Sequence, residues 1–198
     1  KKVKNYTNFW RGNLIPIEIN INTKNINDII SKNCDFDVDV FSIDIDGIDY
    51  WVIDQLDCSN IKIFIAEYNP IYGPDVEVTV PNLVNFNRKS YHYSNLCYGM
   101  SLMALKNIMI KKNFYLIGTN STKNNAFFIS NKFKEDEYFP NIKIQNLDYY
   151  TDFNYRESRD KNNELNYISG KNRINEIKDC NVVDLKDNKK IKKISELI

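Results

Sequence analysis

Four polar residues close two apolar runs and are the first candidates for chemistry. Val38–Ile45 (VDVFSIDI) leads into Asp46, and Ile61–Ala66 (IKIFIA) leads into Glu67, Tyr68 and Asn69. Asp44, Asp46, Glu67 and Asn69 thus bring three carboxylates and an amide to the ends of two neighbouring segments. Such a set can orient an amino group, take a proton from an acceptor, or hold a hard cation through oxygen. Asp44 and Asp46 stand two apart, which on a strand turns both side chains to one face. Turn chemistry is the plainer account of part of this set: Asp-Gly favours a bend, and Asp46 can cap a helix after Gly47. Asp49 falls in the first turn of that helix, where an acid complements the dipole. A charged Glu67 just before Pro70 needs water, a partner or a ligand.

His92 is the sole histidine and lies in the aromatic stretch YHYSNLCYG (91–99). Its ordinary pKa suits a general base near neutrality, and a solvated loop position is the alternative. Tyr91, Tyr93 and Tyr98 are candidates for the wall of an acceptor pocket, although a chain with 13 tyrosines places some there by chance.

The elements that must position these groups follow from apolar patterning. The two runs are too continuous to alternate, which suits strands of a parallel sheet buried on both faces. Ile48–Leu56 between them predicts a short helix, with Gly47 easing the turn into it, and a right-handed crossover. In open parallel sheets ligands bind at the carboxyl ends of the strands, the rim where the four polar residues lie. Leu14–Ile21 alternates after Pro16 and reads as an edge strand over 14–19, parallel to the other two. Thr23 is a candidate N-cap for a helix over Lys24–Lys32. Ile71–Leu96 is long and rich in Pro, Gly and aromatic residues, so it is expected to roof the site in part, with a short strand over Val76–Val80. Ser101 is expected to cap a helix over Leu102–Lys112, and Phe114–Gly118 and Asn125–Ser130 to close the sheet as an antiparallel pair. Lys1–Asn13 shows no period. Beyond Asn131 charge rises and apolar residues thin out, leaving only Ile142–Ile144 and Ile191–Ile198 periodic. The chain therefore divides into an α/β domain over 1–130 and a loosely packed C-terminal extension over 131–198.

Composition narrows the function classes. Lys and Arg number 27 against 26 Asp and Glu, so no global charge attracts nucleic acid or an acidic membrane. Cys34, Cys58, Cys97 and Cys180 have no paired spacing, which argues against a zinc knuckle or a disulfide framework and fits a reducing, cytoplasmic setting. No apolar run approaches a membrane span and no signal peptide opens the chain. Heavy use of Asn, Ile, Lys and Tyr fits an AT-rich coding sequence and weakens Lys and Asn runs as functional signals. The chain opens Lys1-Lys2-Val3 without an initiator Met, as a fragment or processed product would.

SIDIDGIDYWVIDQL (42–56), IAEYNP (65–70), YGMSLMALKNI (98–108), FYLIGTN (114–120) and NNAFFIS (124–130) together resemble the C-terminal half of a class I S-adenosylmethionine-dependent methyltransferase, of the FkbM or a related type. The likeness spans roughly residues 14–130, and FNYRESR (153–159) is similar to an extension of such proteins. It implies a Rossmann-like three-layer sandwich and O-methylation of a sugar or other small-molecule hydroxyl. By the same likeness Asp44 and Asp46 face the cofactor, whereas the residues read by themselves make Asp46, Glu67 and His92 the catalytic candidates and Asn69, Tyr91 and Tyr98 the acceptor-binding ones. A metal-assisted variant would use Asp44 or Asp46 with Glu67 or Asn69 as Mg²⁺ ligands. The pattern departs from the family in one respect. No G-x-G turn occurs, and the segment before Asp37 is too short for the strands that carry that turn and the acidic ribose clamp. Only the adenine-facing segment near Glu18–Asn25 and the Asp44–Asp46 strand would remain of the cofactor side. The chain by itself is therefore expected to bind the cofactor poorly, and its unpaired Val38–Ile45 edge to favour self-association. The alternatives are a non-catalytic module that keeps a partner surface and, more distantly, a carbohydrate-processing enzyme with paired carboxylates.

Overall fold

The computed structural model describes residues 14–34, 37–133 and 157–198. Helix α1 (Ile26–Asn33) leads to strand β1 (Val38–Ile43), helix α2 (Asp49–Gln55) and strand β2 (Ile61–Glu67). β1 and β2 pair in parallel, Val38 opposite Ile61 and Ile43 opposite Ala66, as the apolar runs predict. Lys112 closes the far end of α2, its Nζ donating to the carbonyls of Asp54 and Leu56 at 3.1 and 2.8 Å. Helix α4 (Leu102–Lys111) follows a short helical turn α3 (Arg88–Tyr91), and the Ser101 hydroxyl caps it by accepting from the Ala104 amide. Strands β4 (Phe114–Thr119) and β5 (Asn125–Ser130) then form an antiparallel hairpin with a bulge between Leu116 and Gly118. β5 also pairs antiparallel with β2, so the mixed sheet runs β1-β2-β5-β4 with β5 the reversed strand. Phe64, Phe128, Val52, Ile53, Leu105 and Met109 bury almost completely between this sheet and the helices.

Three expectations need correction. Residues 14–22 form no strand, and Ile15, Ile17 and Ile19 point largely to solvent. Alternation creates a strand only where a partner supplies its hydrogen bonds, and Pro16 also lacks an amide donor. Thr23 does not cap α1; Asn25 precedes it, in a turn that its own side chain closes by accepting from the Asn22 amide. β1 is not buried on both faces. Among the described strands it has one neighbour, and Val40 keeps 53 % of its surface exposed.

The C-terminal residues pack more closely than their composition predicts. Helix α5 (Lys171–Glu176) precedes the hairpin of β6 (Asn181–Asp184) and β7 (Lys190–Lys193), which forms a second sheet with β3 (Val78–Thr79), in the order β3-β6-β7. Ile177, Val182 and Ile194 join Ile71, Val80 and Leu96 in a second apolar cluster, so this layer is made by two distant parts of the chain. Leu185 packs on the first cluster, and Lys189 Nζ lies 5.1 Å over the Trp51 ring. Such apolar patches are too short to carry a period, and their burial depends on a partner far away in sequence. Residues 1–13, the Ile142–Ile144 patch and the first part of FNYRESR lie outside the described residues. Among the described residues no helix is long and apolar enough to cross a membrane.

Candidate functional site

β1 ends at Ile43, so Asp44 and Asp46 stand in the loop to α2 rather than on the strand. Their approach comes from the loop's shape, with Asp46 in the left-handed region at φ 53°, where Asp is tolerated better than most residues. Asp49 holds this loop. Its carboxylate accepts from the amides of Ile45 and Gly47, both at 2.9 Å, and only 1 % of the residue is exposed. Burial pushes the Asp49 carboxyl above its ordinary value, against the lowering effect of those amides. Gly47 serves a different need from the expected turn. A Cβ at this position would stand 2.6 Å from a ring carbon of Phe86, so only glycine lets that ring close over the loop.

One carboxylate oxygen from each of Asp44, Asp46 and Glu67 lies within 4.8 Å of the others. The first two residues are exposed, whereas Glu67 is buried at the end of β2 with the Asn124 amide 3.4 Å away. Arg88, at the start of α3, donates to Asp46 at 2.6 Å and through Nε to the Asn95 carbonyl at 2.6 Å. Its guanidinium stacks 3.9 Å from the Tyr98 ring centre. The long 71–96 segment thus reaches Asp46, as expected of a roof.

Two cavities adjoin at this end of β1. The smaller, about 440 Å³, is walled by Ile19, Ile21, Ile45, Ile48 and Phe86, with Asn20, Asn85 and Asn87 supplying amides. The larger, about 600 Å³, is lined by Asp46, Arg88, Lys89, Asn95 and Glu157. Ile45, Phe86 and Asn87 face both.

No family model matches the chain, and neither a curated protein nor a solved structure is significantly similar to it. The site therefore stands on its own geometry.

The other sequence candidates lie apart from the carboxylates. Asn69 is fully buried and anchors the chain: its amide donates to the carbonyls of Leu96 and Tyr98 at 2.8 and 3.1 Å, and its oxygen accepts from the Ile71 amide. Tyr98 is equally buried beneath Arg88, and the Tyr91 hydroxyl donates to the Asn181 carbonyl at 2.6 Å. His92 follows α3, its Nδ1 2.7 Å from the Ser94 hydroxyl, and does not line either cavity. Burial lowers the His92 pKa, with Glu176 opposing. Sequence reasoning missed Phe86, Arg88 and Glu157 as site residues. Phe86 and Arg88 lie in the segment expected to roof the site and Glu157 in FNYRESR, but no local pattern aims them at the β1 rim, which each faces only after the chain has folded back. Asn124 stood in a quoted motif, but its place beside Glu67 follows from strand pairing.

Proposed function

We propose that the chain is a class I S-adenosylmethionine-dependent methyltransferase-like protein. Its mixed sheet is then the carboxyl half of a Rossmann-like three-layer sandwich, and its complete form methylates a hydroxyl of a small molecule such as a sugar. The observation that carries this is the pair of adjoining cavities at the carboxyl end of β1, since a group transfer needs two ligands side by side. The reversed β5 between β2 and β4, which matches the closing hairpin implied by the resemblance, supports it further. Free cysteines and the lack of a membrane-crossing helix among the described residues accord with a cytoplasmic setting.

The smaller cavity fits the adenosine part of the cofactor. Four isoleucines and Phe86 offer flat apolar walls, and Asn20, Asn85 and Asn87 offer donors and acceptors for a ring edge. When bound, the cofactor supplies an electrophilic methyl group. In the larger cavity, Asp46, Asn95, Arg88 and Glu157 offer the polar contacts that a polyhydroxylated acceptor takes. Asp46 is the carboxylate placed to receive the acceptor's proton, and Arg88 sets its direction. The three converging carboxylates also form an oxygen set suited to Mg²⁺, as the metal-assisted variant requires. His92, apart from both cavities, serves the fold in this scheme.

The sequence has no G-x-G turn for the cofactor's methionine end, so binding by this chain is expected to be weak. Titration with S-adenosylmethionine and its demethylated product, followed by amide chemical shifts, tests the assignment. Expected are weak shifts confined to Ile19–Ile21, Ile45–Ile48 and Asn85–Asn87, and micromolar binding by the longest product of the gene. Silence in both proteins removes the proposal and leaves the non-catalytic module. That second reading draws on the engagement of Asp46 by Arg88, which a purely structural role also explains.

A further inference from the structure

Asn95 uses its backbone groups in full and its side chain not at all. Its amide donates to the His92 carbonyl at 3.0 Å, and its carbonyl accepts from Arg88 Nε at 2.6 Å. Only 4 % of the residue is exposed, yet its carboxamide has no hydrogen-bond partner among the described residues. The carboxamide atoms are not sealed off, and the residue lines the larger cavity. A left-handed backbone at φ 61° accounts for an asparagine or a glycine equally well. A glycine would not bring a desolvated donor and acceptor, which are costly to bury unless something in the cavity meets them.

The groups around it add donors. Arg88 uses Nη1 on Asp46 and Nε on Asn95, and its Nη2 donates to no described residue. The Asn87 oxygen accepts from the Lys89 and Ser90 amides, which leaves its NH₂ group to the cavity. Charge points the same way. Asp46 is paired with Arg88, and Glu157 lies 3.7 Å from Arg159, whereas Lys89 forms no ion pair among the described residues. Lys89 is thus the uncompensated charge of this lining.

We propose that the larger cavity takes an acidic sugar, with Lys89 and Arg88 Nη2 holding its oxyanion and the Asn95 carboxamide pairing with a ring hydroxyl. The oxyanion is a phosphate or a carboxylate. This rests on the reading of the cavity as the acceptor site and narrows that acceptor to one class. Charged N–H donors form hydrogen bonds to oxyanions about twice as strong as neutral ones. The carboxamide both donates and accepts, as a hydroxyl does, so it recognises the sugar rather than the charge.

The full chain is titrated with glucose-6-phosphate, glucuronic acid, glucose and inorganic phosphate, and amide and Arg88 Nε–H chemical shifts are followed. The cofactor is left out, so a failed cofactor titration and a failed sugar titration are separate results. Expected is binding of at least one acidic sugar about tenfold tighter than glucose, with shifts at Lys89, Asn95 and Arg88 Nε. The tighter of the two identifies the oxyanion. Lys89→Gln, at an exposed position, should bring that sugar and glucose to equal affinity. Asn95→Gly keeps the left-handed turn and should weaken the acidic sugar without affecting inorganic phosphate. If that variant does not fold, the ranking by the native chain and Lys89→Gln decide. Equal affinity for glucose, inorganic phosphate binding as tightly as the sugar phosphate, shifts confined to other residues, or no response to any probe would overturn the proposal.

Discussion

Asp49 shows how one buried acid can set a loop that other acids use. Its carboxylate gathers the amides of Ile45 and Gly47 and so shapes the turn from which Asp44 and Asp46 project. Asp49→Ala leaves two backbone donors without this acceptor and is expected to cost about 2 kcal/mol in denaturant unfolding. Because burial raises the Asp49 carboxyl, its own effect on stability declines as pH rises from about 4 through the higher folded value. Gly47 makes a second, independent case. Gly47→Ala drives a methyl group into the Phe86 ring, an overpacking expected to cost about 1–3 kcal/mol. Phe86→Leu should relieve much of that cost in a double-mutant cycle, whereas additive losses would place the strain elsewhere.

At the scale of elements, the β6–β7 hairpin depends on the charges of Asp184 and Lys192. Asp184 is partly desolvated, which raises its pKa, but Lys192 at 2.8 Å and the Lys186 amide outweigh this and hold it below the ordinary value. A depressed folded pKa means that its stabilising effect is complete above about pH 4 and is lost as pH falls through the lower folded value. Melting temperatures measured between pH 5 and pH 3 should therefore fall for the native protein and fall less for Asp184→Asn. Identical slopes would show that the pair contributes nothing to acid stability. The same hairpin reaches the first core through Leu185 and the Trp51 ring, so its loosening should extend to α2.

For the whole molecule, the four-stranded sheet ends on β1 and β4 among the described residues, and β1 is the edge that carries an exposed valine. Its outer backbone groups meet no other strand among the described residues, and with the half-exposed Val40 they resemble the edge that natural sheets usually cover or charge. Concentration-dependent association is expected in sedimentation velocity, and Val40→Lys should suppress it without lowering the melting temperature. A protein that stays monomeric at high concentration would show that this edge is covered in solution.

Helices α1, α2 and α4, the parallel pair and the closing hairpin were legible because their causes are local, whereas α3 and α5 were not read from the sequence. Unbroken apolar runs, a serine three residues before the amide it caps, and turn residues at fixed offsets report on neighbours within a few positions. The 14–19 alternation misled for the same reason, since a period cannot show whether a partner strand exists. The convergence of Asp44, Asp46 and Glu67 was anticipated from strand ends, but its cause was not. A left-handed Asp46 and a buried Asp49 create it, not alternation along a strand. Arg88 reaches Asp46 across 42 residues and Asn124 reaches Glu67 across 57. Those contacts, like the second sheet that joins β3 to β6, arise only when separate apolar surfaces are buried together. Local pattern therefore determined the elements and the rim where polar groups end, and only burial between distant segments decided which side chains share it.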